Sequence, residues 1–107
     1  MSNELFNQML SAYDLATHQQ KRNATFEVNQ QIILAGLYNG GFFNEAAFYG
    51  GTCLRIFHGL QRFSEDMDFS LLAPSQDFDF TQYFQPIVDQ FAMVGREVEI
   101  KKKDKKN

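Results

Sequence analysis

Residues 66–71, Asp-Met-Asp-Phe-Ser-Leu, alternate polar and apolar without a break. A period of two marks a strand with one face on a core and the other toward solvent. Asp66, Asp68 and Ser70 then share one face, and Met67, Phe69 and Leu71 share the other. Upstream, Glu-Ala-Ala-Phe-Tyr closes on Gly50-Gly51, which reads as a buried strand ending in glycines. Between the two runs, Thr-Cys-Leu-Arg-Ile-Phe-His-Gly-Leu, residues 52–60, reads as a short helix stopped at Gly59. Two strands joined through a short helix constrain the fold more than any other part of the chain.

Helical periodicity frames this unit. Residues 2–20 carry Leu5, Met9, Ala12 and Ala16 at helical spacing, with Ser2 or Asn3 as cap. A second helix is expected from Thr25 as cap, with Val28, Ile32, Ala35 and Tyr38 near one face and Gly40-Gly41 as the stop. Residues 80–95 favour a helix with Phe84, Ile87, Val88, Phe91 and Val94 on one side, closed by Gly95. Pro86 lies too deep for that start, so a kink or a later start is expected. Arg-Glu-Val-Glu-Ile-Lys-Lys-Lys, residues 96–103, alternates enough for a third strand. The order is α-α-β-α-β-α-β, an α/β or α+β class with a small mixed sheet flanked by helices. A helical lead-in spans 1–45, a core 46–103 and a basic tail 104–107. The sequence stops just past a strand, so an N-terminal part of a longer enzyme is expected.

Composition excludes several classes. The chain has 107 residues, twelve of them Phe and none Trp, which points to one small domain with a Phe-built core. No apolar run reaches the roughly 18 residues of a membrane span. The N-terminus lacks the pattern of a signal peptide. A soluble cytoplasmic protein is the expectation. The single Cys53 excludes an internal disulfide and a Cys-rich zinc site. Before the last seven residues, five basic side chains face twelve acidic ones, a balance of −7. Such a body is a poor generic nucleic-acid binder, and the Lys-rich end reads as a solvated terminus.

The chemistry concentrates in residues 50–70. Two neighbouring carboxylates repel, and a divalent cation is the simplest neutraliser. Asp oxygens suit Mg²⁺, which keeps waters and takes further ligands from substrate phosphates. A bare Asp-x-Asp is more often an acidic strand end. Glycines where a strand opens into a helix let backbone approach a ligand, and helix N-terminal N–H groups favour an anion. Thr52 adds a hydroxyl donor, Arg55 and Arg62 add cations, and Ser64 adds another donor. Each has a bland reading: a tight turn for Gly50-Gly51, a surface salt bridge for Arg55, a pair with Glu65 or Asp66 for Arg62. A phosphate cradle beside a carboxylate pair is nevertheless what nucleotidyl transfer requires.

Phe48-Tyr-Gly-Gly-Thr-Cys-Leu-Arg-Ile-Phe-His-Gly-Leu-Gln-Arg-Phe-Ser-Glu-Asp-Met-Asp-Phe69 resembles the AbiEii/AbiGii-type nucleotidyltransferase toxins of the DNA-polymerase-β-like superfamily. The superfamily pattern is Gly-Gly or Gly-Ser, a spacer, then acidic-hydrophobic-acidic-hydrophobic. Here Gly50-Gly51 and Asp66-Met67-Asp68-Phe69 fill it, with fourteen residues between, slightly more than usual. Arg62-Phe63-Ser64-Glu65-Asp66 is typical of the toxins. The resemblance is tight over about residues 46–72 and loose elsewhere. It implies an enzyme of the EC 2.7.7 type that uses Mg²⁺ or Mn²⁺ to transfer a nucleotide from an NTP. The acceptor it implies is RNA, tRNA in related toxins. It further implies an abortive-infection role in phage defence, and a separately encoded antitoxin. The family's third carboxylate and later Lys and Asp motifs have no match. Glu97 and Glu99 lie on the expected third strand, but their context does not resemble the family's third acidic position. The isolated chain is therefore expected to be inactive.

Cys53 reads as a buried small side chain, and His58 as a helix C-terminal His favoured by the dipole. Phe78, Phe80, Phe84 and Phe91 read as packing, since no basic residue interleaves with them. The competing reading is a truncated, inactive chain that binds only nucleotide or a partner protein.

Overall fold

The computed structural model describes residues 4–102. Helix α1 (Glu4–Leu10) places Phe6 in the core and leaves Leu5 exposed. Its expected stripe is therefore displaced by one residue, and its expected caps, Ser2 and Asn3, lie outside the described residues. The chain breaks after Leu10, and helix α2 (His18–Asn39) begins after seven intervening residues. Its cap is Thr17, not Thr25: the Thr17 hydroxyl accepts from the Gln20 amide, and the Gln20 side chain accepts from the Thr17 N–H. This reciprocal box satisfies two otherwise orphaned donors and fixes the start. Thr25 sits mid-helix, its hydroxyl turned back to the Lys21 carbonyl.

Helix α2 is the spine. Val28, Ile32, Leu34 and Leu37 are buried, whereas Tyr38, expected on that face, is 73% exposed. It packs most extensively on helix α4 (Phe84–Met93). A Cβ at Gly36 would lie 2.7 Å from the Ile87 Cα, so the two helices approach this closely only because residue 36 has no side chain. A 3-10 turn (Phe80–Tyr83) precedes α4. Pro86 thus falls in the first turn of α4, where a missing N–H costs nothing. The later start is what the sequence required.

Strand β1 (Ala46–Tyr49) leads directly into helix α3 (Gly50–His58), which Gly59 stops, and strand β2 (Asp68–Leu71) follows. The strands pair antiparallel, Ala46 with Leu71, Phe48 with Phe69 and Tyr49 with Asp68. Ala46, Phe48, Phe69 and Leu71 face inward, and Ala47, Tyr49, Asp68 and Ser70 face solvent. Phe42, 2% exposed, anchors the core beneath: its ring meets Phe69 and Tyr83 edge-on at 5.1 Å and Phe80 at 5.5 Å. Edge-to-face geometry is favourable for aromatic pairs at such separations. The core is Phe-built, as the composition requires.

The fold is a mixed α+β arrangement of four helices and a two-stranded antiparallel sheet among the described residues. The third strand expected over 96–103 is not formed by residues 96–102, and residue 103 lies outside the described range. The alternation is real: Glu97 and Glu99 are exposed while Val98 and Ile100 turn inward. Val98 and Ile100, however, line a hollow with Ile33, Ile87 and Phe91 of α2 and α4. Their cover is a helical surface, so the segment joins no strand ladder. No helix of the described residues is long and apolar enough to cross a membrane.

Candidate active site

The site lies where the start of α3 meets the start of β2. Gly50 has φ +88°, a left-handed conformation that glycine adopts without strain. A Cβ there would stand 2.6 Å from Asp68 Oδ2. The glycine is therefore required twice, by backbone angle and by the carboxylate pressed against it. The cause is register: Tyr49 and Asp68 are direct partners, so the residue after Tyr49 adjoins the aspartate. Gly51 makes room likewise. A Cβ there would lie 3.0 Å from the Ser64 hydroxyl and 3.9 Å from Arg62 Nη2. No side chain caps the N-terminus of α3.

Gly50, Gly51, Arg62, Ser64 and Asp68 are thus brought together. Asp66 arrives by another route. β2 begins at Asp68, so Asp66 precedes the ladder and strand pairing does not fix it. Its carbonyl instead accepts from the Thr52 hydroxyl. The same hydroxyl shares a 2.8 Å hydrogen bond with that of Ser64. Thr52 is only 1% exposed. Its donor is held inside the protein and ties the loop to α3. Asp66 and Asp68 are exposed.

Arg55 also faces inward. Its Nε donates to Glu27 Oε2 at 2.9 Å, and its Nη1 donates to the carbonyls of Leu60 at 3.1 Å and Gln61 at 2.6 Å. The geometry gives it the task of fastening residues 59–61 to α2, with its charge matched by the buried Glu27. Gln30 continues the fastening. Its Nε2 donates to the carbonyls of Ser64 at 3.0 Å and Glu65 at 2.9 Å. Two carbonyl partners fix which way the amide points, since its own oxygen cannot donate. Glu27 and Gln30 are the site-supporting residues that sequence reasoning missed. No local signal marked them: buried residues run round most of α2, and neither side chain lies on the expected Val28, Ile32 and Ala35 face.

Among the described residues, no group of three or more His, Cys, Asp or Glu side chains could hold a metal. Glu97 and Glu99 accordingly do not complete the Asp66–Asp68 pair, and Glu99 lies 3.7 Å from the Lys101 ammonium instead. Asp66 and Asp68 are each exposed hard-oxygen donors, and the Asp68 carboxylate occupies a space that Gly50 leaves free. That suits a Mg²⁺-type cation, which keeps waters and shares substrate oxygens. Cys53 is half-buried and His58 exposed at the C-terminus of α3.

Residues 32–107 match the model of the family described as nucleotidyl transferase AbiEii toxin, type IV TA system. The chain belongs to this family. Its domain is that of a nucleotidyltransferase toxin, a class that acts opposite a cognate antitoxin. No curated protein and no solved structure matched the chain. The AbiEii match takes in β1, α3, β2 and α4 whole, along with only the last eight residues of α2. Glu27 and Gln30 precede it, although they hold the loop that carries Arg62, Ser64 and Asp66.

Proposed function

We propose that this chain transfers a nucleoside monophosphate from an NTP to an RNA acceptor of the tRNA class, as the cytoplasmic toxin of an abortive-infection pair neutralised by its antitoxin. The observation that carries the reading is the contact between Gly50 and Asp68. It sets a helix N-terminus, which favours phosphate, against a carboxylate, which favours a metal. Asp66 and Asp68 would hold Mg²⁺ or Mn²⁺. When bound, such an ion neutralises phosphate charge and lowers the pKa of an attacking hydroxyl. The amides of Gly50 and Gly51 orient the triphosphate, and Arg62 neutralises oxygens that Gly51 leaves accessible. Ser64 adds a donor from the loop. Thr52, Arg55, Glu27 and Gln30 hold these groups in place, and positioning with charge stabilisation carries most of phosphoryl-transfer catalysis.

The test is incubation of the protein with Mg²⁺, each labelled NTP and total tRNA. Asp68→Ala should lower nucleotide addition at least a hundredfold while the urea midpoint stays unchanged, because the side chain is exposed. Addition at the wild-type rate would remove Asp68 from the site. A second reading is favoured by one observation, the lack of a third carboxylate beside Asp66 and Asp68 among the described residues. It is nucleotide binding without turnover. Metal-dependent NTP binding by calorimetry, with no labelled tRNA, would select it.

A further inference from the structure

Five basic residues precede the C-terminal lysine run: Lys21, Arg22, Arg55, Arg62 and Arg96. Arg55 is paired with Glu27, and Arg96 lies over the Phe6 ring at 4.2 Å. The other three are exposed and form no ion pair among the described residues. In a body with twelve acidic side chains, unpaired cations are scarce, and their grouping is informative. Lys21 and Arg22 line a surface cavity of 360 Å³ with Thr25, Phe26 and Asn29. The Arg22 guanidinium stands 5.8 Å from the Phe26 ring centre. Phe26 also neighbours Phe63, at 6.4 Å between ring centres. Phe63 follows Arg62, whose Nη2 reaches the start of α3 beside Gly51. A strip of cations and rings, Lys21, Arg22, Phe26 and Phe63, therefore leads from the first half of α2 to the loop that carries Arg62.

We infer that this strip binds single-stranded nucleic acid and leads its end into the site. The direction of approach rests on the nucleotidyl-transfer reading; the binding does not. Phosphates pair with Lys21, Arg22 and Arg62. An unstacked base lies against Phe26 and Phe63, a contact that accepts any base because every base has a π-face. A duplex keeps its bases stacked on each other and offers the rings nothing. The acidic side chains elsewhere in residues 4–100 repel a polyanion, so within that part of the body charge favours the strand along the strip.

The test is fluorescence anisotropy of labelled single-stranded RNA, single-stranded DNA and duplex RNA, each about twelve nucleotides long, across roughly 50–200 mM salt and without NTP. The double variant Lys21→Ala/Arg22→Ala should weaken single-strand binding about tenfold. It should also reduce the slope of log affinity against log salt by about 1.4, at roughly 0.7 per phosphate contact. Lysines at the C-terminus contribute equally to wild type and variant, so the difference isolates the strip. Phe26→Leu should weaken binding roughly tenfold with the slope unchanged, since stacking releases no counterions. Both changed positions on the double variant are exposed, so an unaltered urea midpoint is expected and serves as the folding control. Unchanged affinity and slope in the double variant overturn the proposal, as does tighter binding of duplex than of single strand. Asp68→Ala separates the two readings. If it binds RNA normally but transfers nothing, strip and transfer both stand. If the double variant binds normally while the wild type transfers nucleotide, the strip fails and the transfer reading survives.

Discussion

Gly50 concentrates the chemistry of the site into one position. Its φ of +88° disfavours any side chain, by about 1–2 kcal/mol in left-handed backbone. The space beside it is already filled by the Asp68 carboxylate, 2.6 Å from where a Cβ would stand. Gly50→Ala is therefore expected to destabilise the protein by roughly 1–3 kcal/mol, the usual range for one strained residue. It should also reduce nucleotide addition more than that loss explains, because Asp68 must move. Urea unfolding and the transfer assay, read together under conditions where the variant is folded, check both parts. Gly51→Ala is the milder comparison, since its backbone is not left-handed and its nearest neighbour, the Ser64 hydroxyl, stands at 3.0 Å.

The loop between α3 and β2 is an element that borrows its order from α2. Residues 59–66 make no strand or helix, yet four of their carbonyls are held by buried or half-buried donors: Leu60 and Gln61 by Arg55, Ser64 and Glu65 by Gln30. A fifth, that of Asp66, is held by Thr52. Breaking a buried ion pair by removing one partner costs about 3–5 kcal/mol. The Arg55 side chain is a quarter exposed, so the lower end applies here. Arg55→Gln should cost about 3 kcal/mol and leave Glu27 without its partner. Hydrogen exchange should speed up in residues 60–66 before it does so in α2 or α4. Equal exchange in the loop of wild type and variant would show that Gln30 and Thr52 hold it unaided.

At the scale of the whole molecule, the Phe42 cluster joins the sheet to the helices, and buried Tyr83 links that cluster to Glu45. Its ring packs against Phe42 and its hydroxyl donates to the Glu45 carboxylate. That hydrogen bond, with burial, pushes the phenol from 10.0 up to about 12. A raised folded-state pKa means the folded protein holds the proton more tightly than the unfolded chain. The contribution is complete below pH 10 and is lost as pH rises from about 10 to about 12. Thermal unfolding in that window should show Tm falling more steeply in wild type than in Tyr83→Phe. At neutral pH the same substitution should cost about 1 kcal/mol, the net worth of one hydrogen bond. Parallel slopes for the two proteins would mean the phenol carries no such contribution.

Local pattern alone determined the unit from β1 to β2. Period-two alternation, the glycine pair and Gly59 are short-range signals, and here β1 and β2 lie close enough in the chain to pair with each other. That is why Gly50, Gly51 and Asp68 could be named from the sequence and were found adjoining. Helix starts were less legible. Thr17 and Thr25 both have the chemistry of a cap, and only the reciprocal bond to Gln20 separates them. Residues 96–102 carry a strand's alternation, but a strand also needs a partner ladder, and the apolar cover on α2 and α4 took Val98 and Ile100 instead. Tertiary structure alone decided the tasks of Thr52 and Arg55. A hydroxyl or guanidinium near glycines has the same sequence signature whether it faces a phosphate or a carbonyl. The choice depends on groups from α2 and the following loop, above all Glu27, which lies 28 residues before Arg55 and which no local pattern connects to it.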